Sequence, residues 1–229
     1  MPVETQQLKI DLGRERSVSG LLQVPRDPRA CLVLAHGAGA GMSHPFLSAV
    51  AGGLAERGIA ALRYQFPYME RGAKRPDPPG LAHAAVRAAV AEAARSVRGL
   101  PLFAGGKSFG GRMTSQAQAE SPLPGVHGLA FLGFPLHPPG RPADERGRHL
   151  ADVHVPMLFL QGTRDEFADL KLMQPLVGRL GARATLELYP DADHSFHVPR
   201  RSGRTNEEIL AGLVGTLARW MEGIVSAGS

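Results

Sequence analysis

The stretch PLFAGGKSFGGRM, residues 101–113, runs from an apolar segment through Gly106-Lys107-Ser108-Phe109-Gly110 into residues with helical character. It reads as G-x-S-x-G set between a strand and a helix. In that setting flanking glycines permit a tight, strained turn that lifts the serine hydroxyl above a sheet and aims the next backbone N–H at the same point. Ser108 is therefore the candidate nucleophile, and the Phe109 N–H is one candidate donor to a developing oxyanion. Gly106-Lys107-Ser108 also resembles the end of a phosphate-binding G-x-x-x-x-G-K-S loop. That motif needs glycine at 101, where this chain has Pro101, and a loop where this chain has strand-like residues, so nucleotide binding ranks behind.

On either side of this stretch, strand and helix alternate. Leu8 to Leu12 and Val18 to Val24 read as an opening antiparallel pair, and CLVLAHG (31–37) as a short buried strand. Pro45 to Arg57 suits a helix, IAALRYQF (59–66) a strand, and Leu81 to Val97 a helix with Val86, Val90, Ala93 and Val97 on one face. Strands near 101–106, 126–134, 155–161 and 184–189 alternate with helices starting near Phe109 and Ala168. The last helix opens with Thr205 and Glu208 as a capping box and turns Ile209, Leu213, Leu217 and Trp220 toward a sheet. The pattern predicts an α/β fold: a mostly parallel sheet covered by helices on both faces, with loops for chemistry at the strands' C-terminal ends. With 229 residues and 43% hydrophobic content, residues 1–229 are expected to form a single domain. LHPPGRPADERGRHL (136–150) reads either as a short flap or as a crossover helix.

A serine hydroxyl needs a base to take its proton and an acid to orient that base. In this strand order the acid precedes the histidine. LFLQGTRDEF supplies Asp165 just after a strand, with Glu166 as the nearby alternative, and YPDADHSF supplies His194, with His197 behind it. Asp191 and Asp193 share the histidine's own short loop and read as turn-bracing residues. The loop His36-Gly37-Ala38-Gly39-Ala40-Gly41 follows the early buried strand and offers a second oxyanion donor, assigned to the Ala38 N–H with Gly37 and Gly39 as alternatives. His36 reads as a loop brace.

Taken together, HGAGAG, GKSFG, GTRD and DADHSF resemble the α/β-hydrolase superfamily over nearly the whole chain. HGAGAGMSHPF, RYQFPYMERGAKRPDP and GGKSFGGRM resemble a compact branch related to dienelactone hydrolases and testis-expressed hydrolase-like proteins. The resemblance implies the α/β-hydrolase fold without a large cap domain and a serine hydrolase acting on a small ester or thioester. Serine stands where a typical dienelactone hydrolase has another nucleophile. Because the branch includes a chromatin-complex subunit, a non-catalytic interaction module is the alternative.

Composition narrows the partners. The formal charge is +5, yet 26 basic residues face 21 acidic ones and no base-stacking motif interleaves with them, so nucleic acid is not expected. The N-terminal stretch lacks a signal-like apolar core, no run resembles a membrane span, and the lone Cys31 suits a reducing compartment, so a cytoplasmic protein is expected. The proposed chemistry needs no cofactor or metal, and the histidines show no ligand spacing. The expected partner is a small acyl substrate. In the loop YMERGAKRPDPPG, Arg71, Lys74 and Arg75 offer contacts for an anionic group on it, while Glu70 and Asp77 offer the same cations internal partners.

Overall fold

The computed structural model describes residues 4–228. Strands β1 (Thr5–Gly13) and β2 (Arg16–Gln23) pair antiparallel, and β2 joins β4 (Ile59–Tyr64) antiparallel. From β4 onward the sheet is parallel, through β3 (Ala30–Ala35), β5 (Leu102–Lys107), β6 (Val126–Leu132), β7 (Met157–Gly162) and β8 (Ala184–Tyr189). The spatial order is β1-β2-β4-β3-β5-β6-β7-β8. The parallel strands are apolar along their length because both faces are covered: β3, β4 and β7 are buried at every position.

Helices α1 (Pro45–Ala55) and α6 (Asn206–Ala227) cover one face. Their Leu47, Val50, Leu54, Leu213 and Leu217 share a core with Leu32, Leu34, Phe103 and Leu158. Helices α3 (Pro79–Ser96), α4 (Phe109–Glu120) and α5 (Leu170–Leu180) cover the other, with Val86, Val90, Met113 and Met173 against Val33, Leu62, Phe131 and Phe159. The Thr205 hydroxyl accepts from the Glu208 N–H while Glu208 accepts from the Thr205 N–H, which closes the capping box at the start of α6. Cys31 lies in the central strand β3 with no exposed surface, and burial pushes its thiol up to about 12.

Strand order reverses at β3 and β5. From neighbouring strands, the chain leaves β3 for α1 on one face and β5 for α4 on the other, opening a crevice at their C-terminal ends. The 136–150 segment differs from both sequence expectations. Its Pro138, Pro139, Gly140 and Pro142 oppose helix formation, and regular structure begins only at a 3₁₀ helix, Glu145–Asp152. That helix lies against α4, and no residue of the segment lines the cleft at Ser108. A short helix that the pattern did not predict, α2 (Pro67–Glu70), follows β4.

Candidate active site

Ser108 joins β5 to α4 with φ 51° and ψ −117°, a left-handed backbone that a side chain adopts only at a cost in strain. Gly106 and Gly110 serve a different purpose from the one their flanking position suggests: neither has positive φ. A Cβ on Gly106 would lie 2.4 Å from the Ala35 carbonyl oxygen, and one on Gly110 2.5 Å from that of His36. The glycines let the turn press against the end of β3, and the serine itself carries the strained conformation.

The hydroxyl so placed meets His194. Ser108 Oγ and His194 Nε2 are 2.8 Å apart, and His194 Nδ1 is 2.7 Å from Asp165 Oδ2. The Asp165 side chain is 1% exposed, and donors surround it. Gln161 Nε2 donates to Oδ2 at 2.5 Å and the Phe167 N–H to Oδ1 at 2.8 Å. The Gln161 side chain is itself fixed, because its Oε1 accepts from the Phe134 N–H at 2.9 Å. The Phe167 ring lies over the imidazole with centroids 4.3 Å apart. Hydrogen bonds from two directions and a ring across one face hold the imidazole in one orientation.

Glu166 and His197 stand apart from this chain of contacts. Glu166 is exposed, and the exposed His197 lies on the rim of the cleft, 4.0 Å from Asp193. Asp193 accepts from the Ser195 and His197 N–H groups at 2.8 and 2.9 Å and so braces the turn that presents His194.

The 36–41 loop lies beside the serine: a Cβ on Gly37 would sit 3.8 Å from Ser108 Cβ. The Gly39 N–H donates to Tyr68 Oη at 2.8 Å and the Ala40 N–H to the Gly37 carbonyl at 3.2 Å, so both amides are occupied. The Ala38 N–H has no acceptor among the described residues, and Ala38 lines the cleft. Phe109 is the first residue of α4, where the helix leaves its own N–H groups unsatisfied. His36 ties the loop to the chain after β4: Nδ1 pairs with the Gly37 carbonyl at 2.7 Å, and Nε2 accepts from the Phe66 N–H at 3.0 Å. Burial lowers its pKa, which favours the neutral ring that these two contacts require.

Sequence reading missed Lys107. Its Nζ donates to the His194 carbonyl and lies 5.4 Å from the centre of the Phe196 ring. Burial lowers this ammonium to about 8 against the opposing pull of Asp165 and Asp193. Gln161, Phe167 and Tyr68 were missed as well: Gln161 and Phe167 stand in the same stretch as Asp165, but their contacts to Phe134 and to the His194 ring, like that of Tyr68 to Gly39, join segments far apart in the chain.

The cleft above Ser108 measures about 410 Å³ and is walled by Ala38, Ala40, Phe46, Leu47 and Phe167, with His44 and His197 at its rim. A larger depression of about 1130 Å³ between β8 and α6 contains none of the candidate residues, so chemistry rather than size selects the site. Arg71, Lys74 and Arg75, expected as contacts for an anionic group, are not among the residues that line the cleft. Arg71 pairs with the buried Asp77 at 2.8 Å, and Lys74 and Arg75 are exposed on the same loop. Asp77 also accepts from the Tyr68 N–H, while Glu70 turns away to accept from Ser19 on β2.

Residues 28–222 match the family model described as the alpha/beta hydrolase domain. The chain belongs to this family. Solved structures agree on the architecture of this hydrolase-family chain. A dienelactone hydrolase from Anabaena variabilis superimposes with TM-score 0.79 at 21% identity, over 97% of this chain and 99% of that one. A serine hydrolase without a lid from Xanthomonas campestris gives 0.73 at 23%, over 96% of each chain. A cold-adapted esterase from an Arctic intertidal metagenomic library gives 0.66 at 21%, over 95% of this chain and 94% of that one. At these identities the likeness establishes the fold. The sheet of this hydrolase-family chain is eight-stranded and mostly parallel, and no large cap is evident.

Proposed function

We propose that the chain is a serine hydrolase that cleaves a small ester or thioester through an acyl-enzyme intermediate on Ser108. The observation that carries this reading is the continuous line from a strained Ser108 through His194 to a buried Asp165, with contacts of 2.8 and 2.7 Å. Ser108 Oγ attacks the acyl carbon as His194 Nε2 takes its proton, and Asp165 stabilises the imidazolium that forms. The Ala38 and Phe109 N–H groups receive the oxyanion. The tetrahedral intermediate then collapses, breaking the bond to the leaving alcohol or thiol, which takes the proton from His194. A water molecule attacks the acyl-enzyme by the same route, giving the free acid and returning Ser108 to its starting state.

The wall of Ala38, Phe46, Leu47 and Phe167 favours an apolar group next to the scissile carbonyl. A fluorophosphonate probe, followed by intact mass, tests the nucleophile. One covalent adduct is expected on the wild type and none on folded Ser108→Ala. Adduct formation that persists in Ser108→Ala overturns the assignment, and absence of any adduct or turnover favours a non-catalytic interaction module. Short apolar esters and thioesters, compared by kcat/KM, then separate the two substrate classes.

A further inference from the structure

One turn along α4 from Ser108, Arg112 lies within reach of the charge of Arg146, and neither has a counter-ion among the described residues. Arg112 and Ser115 stand three residues apart on α4 and so leave the same side of the helix. Ser115 Oγ lies 2.8 Å from His149 Nε2, which fixes the 3₁₀ helix Glu145–Asp152 against that side. Residues three apart eclipse in a 3₁₀ helix, so Arg146 shares the edge of His149 and is brought toward Arg112. Both arginines are partly buried, and neither guanidinium has a hydrogen-bond acceptor or carboxylate partner among the described residues. Arg112 Nε is shielded from solvent and unpartnered, and its guanidinium lies 6.0 Å from the centre of the Phe109 ring.

Nearby acids are engaged elsewhere. Glu145 lies 3.7 Å from Arg148, Asp144 pairs with Arg179 at 3.2 Å, and Glu120 lies 3.2 Å from His83 and 3.7 Å from Arg87. Asp152 is the one acid whose charge opposes the local excess at His149. The cluster's positive character is visible on His149, which burial, then Arg112 and His83, hold down to about 4. Burial and the charge of Arg146 likewise lower Arg112. Cations withdrawn from water without partners are costly, and a bound anion offsets that cost. The planar guanidinium fork suits carboxylate and phosphate oxygens.

We propose that Arg112 and Arg146 form a binding site for a carboxylate or phosphate group, with His149 at its edge. The site depends on no catalytic step. The site lies outside the lining of the cleft, about 6 Å along the α4 axis from Ser108, so the anion is either a group at the far end of an extended substrate or a free ion.

The test titrates inorganic phosphate into the full chain at constant ionic strength while NMR follows the His149 ring. Saturable binding is expected, with the His149 titration moving upward as the anion offsets Arg112. Affinity should fall at least about tenfold, the worth of one lost charged contact, in Arg112→Met and Arg146→Met, and stay unchanged in Arg148→Met. No saturation at millimolar phosphate, or equal affinity in Arg146→Met, overturns the site. Should Arg112→Met fail to fold, Arg146→Met alone decides, because its guanidinium makes no described contact to lose. A second arm compares an ester bearing a remote carboxylate with its neutral amide isostere. A selective loss of kcat/KM for the charged ester in Arg146→Met assigns the anion to the substrate. Phosphate binding without that selective loss assigns it to a free ion, and lack of all esterase activity rejects the proposed function while the phosphate titration still decides the site.

Discussion

Helix α4 borders two polar regions built on opposite terms. At its N-terminus every group in the line from Ser108 to His194, Asp165 and Gln161 has a partner, and Asp165 alone receives contacts from His194, Gln161 and the Phe167 N–H. One turn later Arg112 and Arg146 have none among the described residues. A network satisfied by the protein is already in a fixed geometry, which under the proposed function lets it act on an uncharged bond without rearranging. A pair of like charges without a partner takes its final geometry from whatever ion enters.

The largest expected effect breaks the first region. Asp165→Asn preserves the shape of the site but presents the wrong hydrogen-bonding group to His194 Nδ1, and kcat for a reactive ester should fall by about 10⁴-fold with KM little changed. Steady-state kinetics on the folded variant decide it. Unaltered turnover would mean that the buried contact to Asp165 does not orient the base.

Next comes the backbone that separates the two regions. Gly110→Ala places a methyl group 2.5 Å from the His36 carbonyl oxygen and 2.7 Å from Ala35 Cβ. A loss of about 3 kcal/mol in urea unfolding is expected, near the upper end for overpacking. Gly52→Ala, on α1 where a methyl meets nothing within 4 Å, should instead add about 0.5–1 kcal/mol. Equal effects at the two positions would show that the turn has room to spare.

The third expected effect sharpens the second region through pH. The folded His149 titrates near 4 and the unfolded one near 6.5. Above 6.5 both are neutral and the full stability is present. As pH falls from 6.5 toward 4 the unfolded chain binds the proton first, so this residue withdraws stability, by up to about 3 kcal/mol. His149→Gln, which keeps a polar partner for Ser115, should flatten that part of the stability profile measured by denaturant unfolding. An unchanged slope would place the acid sensitivity elsewhere, with the buried His36 the next candidate because its pKa is lowered in the same direction.

Local spacing made the serine turn legible, and chain order selected Asp165 and His194 from their neighbours, because strand ends in a parallel sheet bring such loops together whatever lies between them. The limits of that reading are physical. Gly106 and Gly110 looked like the source of the strained turn, yet their reason for being small is the end of β3, some seventy positions upstream. Arg71, Lys74 and Arg75 lie on a loop at the right end of a strand, but its lateral course depends on Asp77 binding both Arg71 and the Tyr68 N–H. Lys107 is next to the serine in sequence, and its role depends on the His194 carbonyl, a contact that exists only once β5 and the last loop have met. The 136–150 segment was ambiguous because its prolines and its helix-compatible second half point to different structures.

Cys31 turns the centre of the sheet into its own clock. Thiol reagents react with the thiolate, and in the native protein this sulfur is both sealed within β3 and held protonated by burial. A labelling reaction in mildly alkaline buffer therefore waits for the central strand to open. With a single cysteine in the chain, its labelling at saturating reagent, where reaction outpaces reclosing, times the departure of the strand whose end carries the Ala38 loop, with no need to introduce a probe.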